Sequence, residues 1–347
     1  MSHLFISSTG DQAGQSLVAW SIARRLLEMK IRPAFFKPSG TGLLRTDGIW
    51  TDPDALLFKN VLNIDEPLEM ICPFLTSEKG AQQDGKIITL EEIKAFVSGL
   101  LKGREILLIA GCRHIFFDDV SHSPPDITII KALNADLVLA HRYRQTSTTL
   151  YSILSVNSLV KEKVKGVVIN RVPTDQVNDV KEQVLPALNK NGISNVTVLP
   201  EDPFLSMRSL EEIREILNGE TICGEEYLDR SVEGMTVGTT GLNEELRLFK
   251  RVYNKIILLE PSTTARRIAG ILLTGDREPP DKVLEVAEKS KIPLILVKED
   301  SFVVQERLEG NLALLSSGDE KKILHFMKML DGDDFLNRLI QSLNIIS

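Results

Sequence analysis

The sequence of 347 residues predicts an α/β protein in which residues 1–205 form a mostly parallel sheet with helices on both faces. Three observations support this fold class. Short apolar segments alternate with amphipathic segments of helical period, which is the order of a βα chain. Most of the apolar segments lack polar positions, as expected of strands that helices cover on both faces. The first apolar segment runs directly into a turn rich in Gly, Ser and Thr that opens a helix.

The elements of this first part follow one another at short spacings. Strands are predicted at 3–7, 33–37, 105–110, 137–141, 166–170 and 195–199. Helices are predicted at 16–29, 90–101, 147–160 and 177–189. In an open parallel sheet, ligands bind beyond the carboxyl ends of the strands. We therefore expect the functional side chains at the positions where these strands end.

A second, smaller α/β domain is predicted after residues 200–203. A helix at 209–217 leads into a Gly-rich passage, 219–241, which we interpret as a junction that few contacts cross. A further series of short segments follows, at 244–249, 255–259, 263–268, 270–273, 282–289 and 294–297. The expected domains are therefore 1–205 and 206–330, followed by a helical tail at 331–347.

Composition excludes several classes of function. A net charge of −7 without any basic block argues against a nucleic-acid partner. No segment approaches the ~18 apolar residues that cross a bilayer, and the N-terminus lacks the pattern of a signal peptide. Three scattered cysteines are too few for a disulfide framework or a cysteine metal site. We expect a cytoplasmic protein with neither a nucleic-acid nor a membrane partner.

The most informative motif is a phosphate-binding loop that lacks its usual lysine. Backbone N–H groups of such a loop, together with the start of the following helix, can surround a phosphate. The usual loop ends in Gly-Lys-Ser or Gly-Lys-Thr. The corresponding residues here are Thr9, Gly10, Gly14, Gln15 and Ser16. A turn of this kind also exists without a ligand, so the loop alone leaves nucleotide binding and a purely structural turn both open.

Polar side chains after the second strand add to this motif. Lys37 ends the strand beside a Pro-Ser-Gly turn, where its charge can meet a phosphate or only face water. Asp52 and Asp54 lie in the next loop, and Asp52 precedes Pro53, which favours it as a helix cap. Asp54 is then the better candidate for a Mg²⁺ ligand, because Mg²⁺ prefers carboxylates together with phosphates.

The ends of the other strands carry fewer candidate functional side chains. The strand at 105–110 ends in Ala110, so it offers no acid to complete a Mg²⁺ site. The strand at 166–170 ends in Asn170, whose amide could pair with an adenine edge or satisfy loop backbone. In the second part, Gly275 follows a strand and could bind a ligand through its N–H group or merely turn the chain.

In their order along the chain these motifs resemble the dethiobiotin-synthetase-like ATPase domain, which has a P-loop NTPase-like fold. That domain also begins the long bacterial phosphate acetyltransferases and the BioD-like phosphotransacetylase family proteins. The resemblance is carried by Ser8, Thr9, Gly14, Gln15, Ser16, Phe36, Lys37, Pro38, residues 54–56, residues 169–172 and residues 200–202. Residues 215–315 are similar to the DRTGG domain that follows it in those proteins.

The resemblance implies a bound nucleotide, ATP or another, with Mg²⁺. In dethiobiotin synthetases the loop lysine contacts the ATP phosphates and a strand-end Glu helps to hold Mg²⁺, whereas this chain has Gln15 and Ala110 at those positions. Long phosphate acetyltransferases also lack the lysine, and there the region is regulatory. We therefore predict a non-catalytic regulatory protein that binds a nucleotide or metabolite. The alternative is an ATP- and Mg-dependent carboxylate-activating ligase in which Lys37 contacts phosphate and Ser16 and Asp54 hold Mg²⁺.

The resemblance also sets expectations about partners. A DRTGG domain accompanies enzymes that assemble, so we expect a homodimer that binds a small-molecule ligand. Because the sequence ends before an acyltransferase domain could begin, phosphotransacetylase activity is not expected. A third possibility is an interaction scaffold in which neither domain holds a ligand.

Overall fold

The computed structural model describes residues 2–75, 88–112, 114–116, 124–237, 256–261, 268–310, 315–343 and 345. The chain divides into two compact units. The first unit comprises Met1–Glu201 together with Leu314–Ser347, and the second comprises Asp202–Ala313. The chain therefore leaves the first unit once and returns to it at its C-terminal end.

Strands and helices alternate along most of the described chain. The strands are β1 (Ser2–Ser8), β2 (Ala34–Phe36), β3 (Leu44–Thr46), β4 (Ile49–Thr51), β5 (Ile106–Ala110), β6 (Asp136–Arg142), β7 (Val164–Val172), β8 (Val196–Pro200), β9 (Arg208–Ser209), β10 (Glu220–Cys223), β11 (Ser231–Val237), β12 (Ile256–Pro261), β13 (Gly270–Thr274) and β14 (Leu294–Val297). The helices are α1 (Gln15–Glu28), α2 (Pro53–Val61), α3 (Leu68–Ile71), α4 (Leu90–Leu100), α5 (Asp126–Leu133), α6 (Thr146–Val160), α7 (Val177–Lys190), α8 (Leu210–Leu217), α9 (Asp281–Lys289), α10 (Ser301–Gly310), α11 (Glu320–Asp331) and α12 (Phe335–Ser342).

The first unit is built on a six-stranded parallel sheet with helices on both faces. The strand order is β2-β5-β1-β6-β7-β8, and all neighbouring pairs are parallel. Apolar side chains of α4, α5, α6 and α7 pack with one face of the sheet in a single large cluster. Helices α1, α11 and α12 lie against the other face, with α1 next to β1 and α12 next to β7. The predicted fold class is therefore confirmed, and each strand and helix predicted for this part is present.

The C-terminal helices belong to the first unit, which differs from the expected domain boundaries. Arg25 of α1 donates to both carboxylate oxygens of Asp331, at 2.8 and 2.7 Å. The ring of Phe335 lies so close to Gly166 of β7 that an added Cβ would stand 2.8 Å from it. Residues 315–330, expected in the second domain, thus complete the first unit. The first junction lies between Glu201 and Asp202 rather than at 205.

The second unit is a smaller α/β layer structure. Its sheet has the order β10-β14-β13-β12-β11-β9, in which only the pair of β13 and β14 is parallel among the described strands. One apolar cluster joins the sheet to α8 and α10, and another joins it to α9. The prediction of a junction at 219–241 is wrong, because β10 and β11 of this passage are part of the sheet. The segments predicted at 244–249 and 263–268 lie, apart from Ile268, outside the described residues.

Among the helices of the described residues, none combines the length and the apolar character needed to cross a membrane.

Candidate functional site

The phosphate-type loop lies between β1 and α1, at the carboxyl edge of the first sheet. Gly14 is the N-cap of α1 and has a φ of 89°, a left-handed conformation that glycine adopts without strain. In the described part of the chain no side chain caps this helix, and its first turn contains no acidic residue. Its first N–H groups and the positive end of its dipole are therefore available to an anion.

Asn170, at the carboxyl end of β7, forms a hydrogen bond with the backbone of this loop. Its Nδ2 donates to the carbonyl of Ala13 at 3.2 Å, and its Oδ1 accepts from the N–H of Arg171 at 2.8 Å. A Cβ added to Gly14 would stand 2.7 Å from the same Nδ2. Asn170 thus makes the backbone contacts of one of the two roles that the sequence left open, and its pairing with a base stays a prediction.

Gln15 stands where the usual loop lysine would be, and its side chain turns to the neighbouring strand. Its Nε2 donates to the carbonyl of Gly111, just beyond β5, at 2.9 Å. Lys37 Nζ reaches the same carbonyl at 3.3 Å. The loop thus carries no charge at its lysine position, but the buried ammonium of Lys37 lies close beside it.

Lys37 is held between two carboxylates. Its side chain is almost fully buried, with Nζ 3.2 Å from Asp54 Oδ2 and 3.9 Å from Asp52 Oδ1. Burial alone would lower the pKa of Lys37, but the attraction of Asp52 and Asp54 outweighs it and raises this pKa above its usual value. Lys37 therefore stays protonated between the two acids, while burial raises the pKa of Asp52.

Both carboxylate oxygens of Asp52 accept hydrogen bonds from backbone N–H groups. Its Oδ1 accepts from the N–H of Asp54 at 2.9 Å, which caps α2, and Pro53 is the first residue of that helix. Its Oδ2 accepts from the N–H groups of Thr41 and Gly42 at 3.0 and 3.2 Å. The prediction that Asp52 is a helix cap is confirmed.

Ser16 and Asp54, the two residues predicted to ligate Mg²⁺, lie in contact with each other. The hydroxyl of Ser16 donates to Asp54 Oδ1 at 2.8 Å, and the carboxylate of Asp54 remains partly exposed. A hydroxyl and a carboxylate side by side fit an ion that takes one or two protein oxygens and completes its shell with phosphate and water. Within the described residues, no group of three or more His, Cys, Asp or Glu side chains could hold a metal ion.

Thr9 and Gly10 begin the loop, and Thr9 is anchored by a histidine that sequence analysis did not select. Thr9 Oγ1 and Nδ1 of His141, near the end of β6, are 2.5 Å apart, and His141 Nε2 is 3.0 Å from Thr149 Oγ1. Burial, with a smaller effect from Arg144, lowers the pKa of His141 to about 4. The imidazole is thus neutral at pH 7. At Gly10 an added Cβ would have only one neighbour, at 3.9 Å, so packing does not require this glycine.

Asp126, the first residue of α5, brings an acid to the end of β5 from outside the strand. Its carboxylate accepts from Ser7 Oγ at 2.6 Å and from the N–H of Cys112 at 3.1 and 3.2 Å. Burial raises its pKa to about 6. A side chain on Gly111 would overlap this carboxylate. The available signal was the sequence Pro-Pro-Asp at 124–126 followed by apolar residues of helical period, which marks a helix start.

In the second unit, Gly275 turns the chain. Its N–H group donates to the carbonyls of Val297 and Glu299, at 3.0 and 2.9 Å. That donor is satisfied within the unit, which favours the structural interpretation of this motif over ligand binding.

Models of known protein families match both parts of the chain. Residues 2–209 match the model of an AAA domain, and residues 212–310 match that of a DRTGG domain. The chain is 26% identical to a phosphate acetyltransferase of Synechocystis sp., in an alignment that covers 97% of this chain and 52% of that protein. It therefore spans about half the length of that relative.

Two further proteins are similar to part of this chain. An ATP-dependent dethiobiotin synthetase BioD of Anoxybacillus flavithermus is 23% identical, over 61% of this chain and 96% of the synthetase. A solved structure of a ParA family ATPase from Chlorobium tepidum superposes with a TM-score of 0.33 and 13% identity, covering 59% of this chain and 86% of the ATPase.

Proposed function

The chain belongs to the AAA domain family through residues 2–209, with a DRTGG domain after it, and on this premise we propose that its first unit binds ATP or a related nucleotide in a regulatory role, without turning it over. One observation carries the proposal. The uncapped start of α1 lies beside three side chains in contact, Ser16, Asp54 and Lys37. Relatives of the first unit include dethiobiotin synthetases described as ATP-dependent.

The nucleotide phosphates would lie against the backbone of residues 9–16, at the N-terminus of α1. Ser16 and Asp54 would hold Mg²⁺, which neutralises phosphate charge when it is bound. Asp54 already contacts both Ser16 and Lys37, so a triphosphate without a cation would meet an acidic side chain there. We therefore expect nucleotide binding that requires Mg²⁺.

The proposed lack of turnover follows from the residues around the phosphates. Gln15 is neutral and its amide is directed at Gly111, so no loop cation faces the γ-phosphate. Loss of one preorganised electrostatic contact commonly costs ~10²–10³ in rate. The strand-end position, Ala110, contributes no second charge.

Nucleotide binding is tested by isothermal titration of the full chain with ATP, with and without Mg²⁺, in the wild type and in Gly14→Ala. The added Cβ at Gly14 has both an unfavourable φ and a close contact with Asn170, so affinity should fall by about tenfold or more. Gly48→Ala is the matched control, because Gly48 has a similar φ of 82° but no atom within 4 Å of the added Cβ. Equal affinity in wild type and Gly14→Ala would show that the nucleotide does not bind at this loop.

A ligase of the dethiobiotin synthetase type is the second candidate function. It is favoured by the contacts that Lys37 and Ser16 make with Asp54, since these are the groups that would contact phosphate and ligate Mg²⁺ in such an enzyme. The test is ADP release from ATP and Mg²⁺, with and without added carboxylic acids. Mg²⁺-dependent turnover that Lys37→Ala abolishes, in a variant whose circular dichroism stays native, would replace the regulatory proposal with the ligase.

A further inference from the structure

A histidine that the site described above does not use lies beside the phosphate loop. Residues 114–116 come after β5 and return to the carboxyl end of β1. The N–H group of Ile115 donates to the carbonyl of Ser8 at 2.7 Å, and His114 forms an antiparallel bridge with Thr9. Backbone contacts therefore hold His114 next to the first residues of the loop.

The order of the strands places His114 on the phosphate side of the site. In the sequence β5-β1-β6-β7, the strands β5 and β7 lie on opposite sides of β1, and the predicted position of the base is at Asn170, the end of β7. The carbonyl of Gly111, just after β5, accepts from Gln15, which has the position of the usual loop lysine. That lysine reaches the β- and γ-phosphates. His114, three residues after Gly111, is thus on the side of these phosphates and away from the base.

The hydrogen bonds of His114 indicate which ring nitrogen is a donor. In a neutral imidazole one nitrogen accepts and the other donates. Nδ1 accepts from the N–H group of Phe116 at 3.1 Å, so Nε2 carries the hydrogen. Burial lowers the pKa of His114, with a smaller opposite effect from Asp11, so the ring is neutral at pH 7. Among the contacts of the described residues none involves Nε2, which leaves this donor available to a ligand.

Gly10 keeps a small space open beside this donor. Its φ is not left-handed, and an added Cβ would have a single neighbour, His114 Cδ2 at 3.9 Å. Neither backbone conformation nor packing therefore requires a glycine at this position. Because Cδ2 is bonded to Nε2, the space that a side chain would fill adjoins the free N–H group. It has the size of a methyl group, which a phosphate oxygen can occupy.

We propose that His114 Nε2 donates to an oxygen of the terminal phosphate of the nucleotide, and that the first unit therefore prefers a nucleoside triphosphate to the diphosphate. This inference rests on the nucleotide site proposed above. A hydrogen bond to a charged acceptor is stronger than one between neutral groups, so it favours the bound triphosphate. The neutral ring adds no positive charge at the γ-phosphate, which agrees with binding without turnover. His114 thus allows a regulatory protein to distinguish ATP from ADP.

Isothermal titration of the full chain with ATP and with ADP, both with Mg²⁺, tests the proposal. The wild type should bind ATP more tightly than ADP. In His114→Ala the affinity for ATP should fall by about tenfold or more, since a hydrogen bond to a charged group is lost, while the affinity for ADP should stay the same. His114→Gln keeps an N–H donor of similar reach and should retain most of the preference for ATP.

Two further variants complete the experiment. Gly10→Ala fits the fold but fills the space beside Nε2, so it should also reduce the preference for ATP. His3→Ala is the matched control, because His3 lies at the opposite end of β1, where it contacts the carbonyl of Leu133. It should leave both affinities unchanged.

The proposal is overturned if His114→Ala leaves the ratio of the two affinities unchanged, whether both stay the same or both fall together, as a purely structural role would require. It is also overturned if His3→Ala changes this ratio as much. In these cases the wild type still binds nucleotide, and the proposed function stands. A wild type that binds neither ATP nor ADP would overturn the proposed function, and this inference with it.

Discussion

Single buried charges at the carboxyl edge of the first sheet are compensated in different ways. Lys37 is balanced by two carboxylates within 4 Å, so its charge is stabilised. Asp126 is fully buried, and the donors in hydrogen-bond contact with it among the described residues are neutral: Ser7 Oγ and the N–H of Cys112. Neutral donors compensate desolvation less than an opposite charge does. The ionisation of Asp126 therefore weakens the fold.

The pH dependence of stability tests this assignment. The pKa of Asp126 is raised from 3.8 to about 6 in the folded protein, so its contribution to stability is complete below pH 3.8 and is lost as the pH rises through 6. At ~1.4 kcal/mol per pH unit, the loss is about 3 kcal/mol. Relative to Asp126→Asn, which does not titrate, the wild type should lose most of this amount of unfolding free energy between pH 4 and pH 7, as measured by urea denaturation.

A second variant, Ser7→Ala, tests whether the pKa of Asp126 controls this pH dependence. The hydroxyl of Ser7 lowers the pKa of Asp126, so Ser7→Ala should extend the loss of stability to higher pH. Tryptophan fluorescence is the appropriate signal, because both tryptophans of the chain, Trp20 and Trp50, lie in the first unit. A difference between wild type and Asp126→Asn that stays constant from pH 4 to pH 7 would contradict the assignment.

At the same scale, local signals decided which site residues could be predicted. Ser16, Lys37 and Asp54 were identified because each lies beside a glycine turn, a strand end or a helix start that the sequence itself marks. Asp126 was missed because it reaches the end of β5 from another element. The role of Asn170 was left undecided, since its contact with Ala13 joins residues far apart in the chain.

At the scale of elements, amphipathic period predicts that a helix has an apolar face but not what covers it. The C-terminal helices illustrate the point. A helical tail was predicted at 331–347, yet the segment at 315–330, which holds most of α11, was assigned to the second domain. Only the fold reveals that α11 packs on α1 and α12 on β7. The prediction of a junction at 219–241 was wrong for a related reason. The glycines of this passage suggested a junction, but its strand β11 pairs with β12, which comes later in the chain and is not marked by the local sequence.

Two substitutions in α11 test whether this helix belongs to the core of the first unit. Phe326 is fully buried, whereas Leu324, two residues earlier, is 42% exposed. Phe326→Ala should lower the free energy of unfolding by about 3–5 kcal/mol. Leu324→Ala should change it by less than about 0.5 kcal/mol. Both values are measured by urea denaturation with tryptophan fluorescence, which reports on the first unit. Equal, small effects would show that α11 does not contribute to that core.

At the scale of the whole molecule, the two units differ in how the chain builds them. The first is made of two separate segments, whereas the second is one continuous segment. The C-terminal helices of the first unit follow the second unit in the chain. The second unit, Asp202–Ala313, closes its own apolar clusters on both faces of its sheet. A segment with a core of its own can fold alone. The boundary of an independent fragment therefore follows from the structure and differs from the one expected from the sequence.

A fragment of residues 202–313 should accordingly be soluble and unfold cooperatively by circular dichroism. A fragment of residues 202–347 should be less soluble, because α11 and α12 would expose apolar side chains that the first unit buries, among them Phe326 and Phe335. The DRTGG domain is also our proposed site of dimerisation, so light scattering should find dimers of both the 202–313 fragment and the full chain. Monomers in both cases would remove dimerisation from the proposal, and an unfolded 202–313 fragment would show that the second unit depends on the first.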